Sequence, residues 1–195
     1  VIMIPARSGS KRIKNKNIRL LSGKPLISYV IDTALKTNLP VYINTDCEHI
    51  LDFTKDLDCI QYKRDKCFTA DNSTNDEFME DFLKNIDCDY VLQVLPTSPF
   101  ITIDEINSFL KEMQNFDTTI SVKDAQIGCV YKNQPIKFDI TKKNPPSQEM
   151  EPIKVYATSL MGWKSEVFLK NMREFGSAYH GGEGSISYFT LEGWS

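Results

Sequence analysis

Apolar residues along this chain fall into two alternating rhythms. "VIMIPA" (1–6) is an unbroken apolar run, as expected of a strand covered on both faces. "PLISYVIDTALKT" (25–37) then sets Leu26, Ile27, Val30, Ile31, Ala34 and Leu35 at helical spacing, with Pro25 suited to a first turn. The alternation continues with a strand at "VYINTD" (41–46), a helix at "EHILDFTKD" (48–56) and a strand at "CIQY" (59–62). "DEFMEDFLKNI" (76–86) places Phe78, Met79, Phe82, Leu83 and Ile86 on one helical face. "YVLQVL" (90–95) reads as a central strand, ended by the prolines of "PTSPFI" (96–101). "TIDEINSFLKEMQNF" (102–116) opens on Thr102 with Glu105 three residues later, a capping box, and "TTISV" (118–122) is the next strand.

Strand and helix in turn, joined by short connections, predict an α/β fold of three α/β/α layers around a mostly parallel sheet. The rhythm stops between Lys123 and Tyr156, where the proline-rich, polar "KKNPPSQEMEP" (142–152) reads as a surface excursion. "GGEGSISYFTLEGWS" (181–195) carries a late strand. There is no internal repeat or low-complexity tract. Residues 1–195 are read as one domain with an excursion at about 123–155.

Charge changes this picture at one place. The net charge is −3, yet no acid occurs from Val1 to Ile31, where Arg7, Lys11, Arg12, Lys14, Lys16, Arg19 and Lys24 are concentrated. The remainder carries 16 basic against 26 acidic residues, which argues against a nucleic-acid partner, since such binders spread basic charge across a face. No apolar run approaches the ~18 residues of a membrane span, and the N-terminal stretch does not read as a secretory leader. The five cysteines show no C-x-x-C spacing, and His49 and His180 lie far apart. The expectation is reduced thiols, no zinc site and a cytoplasmic location.

The basic cluster falls within "IPARSGSKRIKNKN" (4–17), directly after the first strand. In open parallel sheets, ligands bind outside the carboxyl ends of strands. Gly9 permits close backbone approach, and neighbouring N–H groups can form an anion nest. Arg7 leaves the strand end with a planar fork suited to phosphate oxygens, and Lys16 offers a compact charge. One charge pair at ~4 Å near a surface is worth about 4 kcal/mol before desolvation, so converging cations can dominate triphosphate binding. Neither the G-x-x-x-x-G-K-[ST] nor the G-x-G-x-x-G fingerprint is present. The loop therefore reads as a cradle for a small anion, with Lys14 facing solvent.

"IPARSGSKRIKNKNIRLLSGKPLISYVIDTAL", followed in order by "NTD" (44–46), "RDKCFTADNSTN" (64–75) and "LPTSPF" (95–100), resembles the cytidylyltransferases that activate nonulosonic acids. These are the acylneuraminate cytidylyltransferases, or CMP-sialic acid synthetases, and relatives acting on pseudaminic, legionaminic or 3-deoxy-octulosonic acids. The likeness is good over residues 1–122 and loose beyond. It implies a Rossmann-like nucleotidyltransferase fold of the glycosyltransferase-A type. It also implies attack of a sugar's anomeric hydroxyl on the α-phosphate of CTP with Mg²⁺ assistance, and a homodimer built through the excursion.

By position, the resemblance gives Lys16 and Arg7 catalytic roles on the triphosphate. Ala6, Ser10, Arg12, Asn17, Arg64 and Asn75 join Arg7 around the nucleotide, and Leu95, Pro96, Thr97 and Ser98 shape the sugar side. Simpler readings stand beside these: Asn17 as a loop turn, Arg64 as a surface partner of Asp65 or Asp71, and Thr97 and Ser98 as turn caps.

The sugar side departs from the family. Leu95 stands where a glutamine is usual, Ile101 where an arginine is common, and "YATSLMG" (156–162) where an R-x-N-G-A-type segment is expected. The family's acidic I-D-I-D-type segment is expected shortly after Ser195. No metal ligand is assigned within these residues, Asp46 is read as structural, and both ends are expected to continue. Another sugar acid or nucleotide, or a non-catalytic nucleotide-binding relative, remain the alternatives.

Overall fold

A computed structural model describes residues 1–9, 13–70, 72–143 and 145–193. The first strand, β1 (Ile2–Pro5), is followed by a small hairpin, β2 (Leu20–Leu21) and β3 (Lys24–Pro25), and then by α1 (Leu26–Leu35). Next come β4 (Val41–Thr45), α2 (Glu48–Thr54), β5 (Ile60–Lys63), α3 (Asn75–Asn85), β6 (Tyr90–Val94), α4 (Ile103–Met113) and β7 (Thr118–Ala125). A second hairpin, β8 (Cys129–Tyr131) and β9 (Gln134–Ile136), precedes β10 (Ile153–Lys164), α5 (Ser165–Phe175) and β11 (Ile186–Thr190).

The main sheet has the order β11-β7-β10-β6-β1-β4-β5. β1 pairs in parallel with β4 and β6, β4 with β5, and β11 with β7. β10 alone runs the other way, antiparallel to both β6 and β7. The mostly parallel, three-layer expectation is met.

The alternation of side chains along β1 explains its unbroken hydrophobicity. Ile2 and Ile4 join Ile27, Val30 and Ile31 of α1 and Ile106 and Phe109 of α4 on one face. Met3 joins Met79 and Phe82 of α3 and Phe168 of α5 on the other. Both sides are covered, so neither can carry polar residues.

Local signals fix the helix ends. Thr102 and Glu105 form both halves of the predicted capping box at α4, and Thr74 with Glu77 forms a second at α3. α5 ends on Gly176 in the left-handed region (φ 67), where a side chain would be disfavoured. Pro25 serves as the N-cap of α1 rather than lying in its first turn.

Both small hairpins, β10 and α5 went unread in the sequence. β10 spans twelve residues, so strand structure enters both flanks of the supposed excursion, through Ala125 and from Ile153. Its pattern is obscured by a register shift between Tyr156 and Met161, with Thr158 at φ 58. α5 does carry a helical signal in Phe168, Leu169 and Met172, all packed in or against the second core. Among the described residues, no helix is long and apolar enough to cross a membrane.

Phe82 locks the α3 layer to the sheet. It is fully buried, with edge-on contacts to Tyr42 (5.3 Å between ring centroids) and Tyr62 (5.1 Å). Phe82→Ala should destabilise the protein by about 3–5 kcal/mol, measured by urea denaturation.

Candidate functional site

Where β1, β4 and β5 end side by side, side chains continue the sheet's hydrogen bonding into the loops. Ala6 N–H donates to the Asn44 carbonyl (2.9 Å), and the Thr45 hydroxyl donates to the Ala6 carbonyl (2.5 Å). Asp46 accepts from Ser8 N–H (2.7 Å) through one carboxylate oxygen and from the Ser8 hydroxyl through the other.

On the opposite side, Arg64 N–H donates to the Thr45 carbonyl (2.9 Å). The Arg64 guanidinium donates to the Asn44 side-chain oxygen (2.7 Å) and its carbonyl (3.2 Å). Three consecutive residues, Asn44, Thr45 and Asp46, thus bracket the loop after β1 and the one after β5.

Arg64 is only 3% exposed and lies 4.0 Å from the centre of the Phe78 ring. A surface ion pair is therefore not its role. Burial, more than any other influence, pushes its pKa down to about 10; Asp46 acts against this and Arg7 adds to it. It remains a cation at neutral pH, close enough to Arg7 for the two to repel.

Arg7, Ser8, Gly9, Lys16, Asn17 and Cys47 line one recess beside this bracket. The Arg7 guanidinium donates to the carbonyls of Thr69 (3.2 Å) and Ala70 (3.4 Å), aligning it on the turn after β5. Asn17, 8% exposed, donates from its amide to the Arg7 carbonyl (3.3 Å) and so closes the loop on itself. Its side chain also lines the recess. Gly9 adopts φ +71, the left-handed region for which glycine is suited.

Lys14 is exposed, as expected. Ala6 is fully buried with both backbone groups engaged, so it supports the loop from below. Ser10 and Arg12 lie outside the described residues.

This part of the site offers cations, backbone N–H groups and a rigid floor. Its chemistry is that of holding a polyanion and neutralising charge.

The remaining candidates stand along the same sheet edge. After β6, Leu95 N–H donates to the Ser159 carbonyl (3.0 Å) and Ser98 N–H to the Leu95 carbonyl (3.1 Å). The Ser98 hydroxyl, buried, donates to the Ser159 hydroxyl (2.9 Å). Pro96 is buried as well, while Thr97 is exposed. Ser98 thus ties the turn to β10.

Asn75, at the start of α3, hydrogen-bonds the phenol of Tyr179, whose pKa is raised chiefly by burial and drawn back by Asn75. The neighbouring Asp76 carboxylate accepts from the N–H groups of Ala178 (2.6 Å) and Tyr179 (2.7 Å).

Sequence reading missed this aromatic group. Tyr179 and His180 lie 5.0 Å apart by ring centroids, His180 and Tyr156 5.7 Å, and Tyr156 and Tyr188 6.2 Å. The loop bearing Tyr179 is fastened by Asn171, which bonds the carbonyls of Gly181 (2.8 Å) and Glu183 (3.0 Å). Gly182 must be a glycine: a Cβ there would come within 2.6 Å of the Asn171 side chain. An aromatic pair inside "GSAYHGGEG" was the available sequence signal.

A family model described as "Cytidylyltransferase" matches residues 1–153. The chain is 31% identical over 162 residues to the N-acylneuraminate cytidylyltransferase of Escherichia coli O18:K1:H7, covering 81% of this chain and 35% of that protein. It is 36% identical over 106 residues to the CMP-N,N'-diacetyllegionaminic acid synthase of Legionella pneumophila, covering 50% and 46% of the two chains. The chain thus spans less than half the length of these curated relatives. A solved structure of CMP:2-keto-3-deoxy-manno-octonic acid synthetase complexed with CTP superposes with a TM-score of 0.75 at 16% identity, over 98% of this chain and 89% of that one. At that identity the likeness establishes the fold alone.

The buried guanidinium gives a direct check on the bracket. Arg64→Lys keeps the charge but cannot reproduce the forked contact with Asn44, and should cost about 1–3 kcal/mol of stability in denaturant titration.

Proposed function

The chain belongs to the cytidylyltransferase family, and from that premise we propose that it transfers CMP from CTP to the anomeric hydroxyl of a nonulosonic, sialic-acid-like sugar. The observation that carries this reading is the recess at the end of β1, where Arg7 and Lys16 line one wall system beneath a loop fixed by Asn17. In the reaction, the anomeric oxygen bonds to the α-phosphorus, the α–β phosphoanhydride bond breaks, and pyrophosphate leaves. The hydroxyl proton passes to water. Such a step calls for alignment and charge neutralisation more than for a protein nucleophile.

Lys16 is the residue assigned to the charge that develops on the triphosphate, with Arg7 beside it. Arg64 contributes field from beneath the floor, since its own donors are directed at Asn44. Leu95–Ser98 border the acceptor side, and Asn75 is assigned to the nucleotide side. The names of relatives that act on N-acylneuraminate and diacetyllegionaminate support a nonulosonate acceptor.

Magnesium belongs to this reading as an ion accompanying the triphosphate. Among the described residues, no three His, Cys, Asp or Glu side chains converge to form a cage, and both Asp46 oxygens are engaged by Ser8. The described residues do not fit a resident metal, and no step is routed through one.

A homodimer in the cytoplasm completes the proposal. The β8–β9 hairpin and the segment after it expose Val130 (65%), Tyr131 (63%) and Ile140 (76%), an apolar surface suited to a second copy. The five cysteines are unpaired, which fits a reducing compartment.

Incubation with each nucleoside triphosphate and a panel of 2-keto sugar acids, followed by pyrophosphate release, tests the activity. Turnover should require CTP and an acylated nonulosonate; turnover with UTP or GTP instead would overturn the cytidylyl assignment. Lys16→Ala should lower kcat by about 100-fold or more with an unchanged melting temperature. Val130→Asp combined with Ile140→Asp should shift the mass measured by light scattering from dimer to monomer.

A further inference from the structure

Asp46 places a carboxylate beside a recess whose lining includes two cations, Arg7 and Lys16. Near a bound triphosphate, a negative charge is unfavourable on Coulombic grounds alone. The geometry shows what offsets this. Each of its two oxygens accepts a hydrogen bond from Ser8, one from the backbone N–H (2.7 Å) and one from the hydroxyl. Bonds of this kind, with an ionised acceptor, are about twice as strong as neutral ones.

Ser8 lies between two critical residues. Arg7 before it lines the recess, and Gly9 after it turns the chain through φ +71. Pro5 is the last residue of β1 in register with β4, opposite Asn44. Ala6 beyond that point is still buried, but at Ser8 and Gly9 the loop is exposed and has no strand to follow. Asp46 extends the pairing past the end of the ladder, substituting a side chain for the missing backbone partner. It fixes the direction in which the loop leaves the sheet. It also lies close enough to Arg64 to favour that buried guanidinium's charged form.

We propose that Asp46 is a positioning residue of the CTP site: it holds Ser8 so that the loop carrying Arg7 and Gly9 is set in its binding form before CTP arrives. This rests on the cytidylyltransferase reading of the recess and adds a residue whose side chain acts through Ser8.

Three variants separate this role from its competitors. Asp46→Ala removes both bonds and should raise the KM for CTP about 10–100-fold, with a much smaller change in kcat, as expected when binding is lost through a disordered loop. Asp46→Asn keeps an oxygen for the Ser8 N–H and an amide that can pair with the rotatable Ser8 hydroxyl. It should restore the KM to within about threefold of the parent, as a preserved hydrogen-bond pair predicts. Ser8→Ala, which loses only the hydroxyl bond, should fall between the two.

The inference is overturned if Asp46→Asn is as impaired as Asp46→Ala, the result expected of a metal ligand. It is equally overturned if both Asp46 variants bind CTP more tightly, the result expected if the carboxylate only repels the triphosphate. A KM for Ser8→Ala equal to that of the parent also overturns it, and this arm needs no stable Asp46→Ala protein. Calorimetric titration of the unmodified protein with CTP keeps the two claims apart. No binding there removes the cytidylyl reading and this inference together. Parent binding with unchanged variants removes the inference alone.

Discussion

Everything at the site depends on where a strand covered on both faces comes to its end. β1 is clamped between α1 and α4 on one side and α3 and α5 on the other, and it is paired to β4 and β6 along its edges. A strand so confined has almost no freedom to shift, because interiors pack at crystal-like density and respond to displacements of a single methylene. Ala6 remains fully buried, and the next residue, Arg7, emerges into the recess. The position of the Arg7 cation is therefore set by hydrophobic packing several residues away.

The reversed direction of β10 has a comparable effect farther along the same sheet edge. Its neighbours bring their carboxyl ends to the functional edge, whereas β10 brings the residues around Tyr156 and Ser159 there from its amino-terminal half. The register shift between Tyr156 and Met161 falls in this stretch. A bulge re-aims side chains locally without disturbing the pairing on either side of it. Tyr156 can thus face His180 and Tyr188 while Met161, Gly162 and Trp163 keep their places in the ladder.

How far the sequence could be read follows from how local each determinant is. The β1 run, the capping box of Thr102 and the cluster Arg7–Lys16–Asn17 are all contained within a short span, and each was legible. Position along the chain does not reveal that Arg64 lies beneath Phe78 and Asn44, because its burial depends on β4 and α3 arriving beside it. The same holds for Ser98 with Ser159 and for Asn75 with Tyr179, pairs joined only by the completed sheet. That is the physical reason why the loop after β1 could be read in more detail than the residues it meets from distant elements.

β7 and β10 run together as a pair from Thr118 and Trp163 at one end to Ala125 and Ile153 at the other. The pair is as long as the eight residues of β7, about 27 Å at the usual strand rise, because the irregularity between Tyr156 and Met161 takes up the extra residues of β10. The β8–β9 hairpin is therefore carried on a stiff two-stranded beam, and its bearing relative to the sheet is inherited from that beam. Loop length and composition between Ala125 and Ile153 can then change while the beam and the recess at the end of β1 stay as they are. In such an architecture the outer segment is an interchangeable fitting, and contacts with other molecules can diverge without altering the machinery at the end of β1.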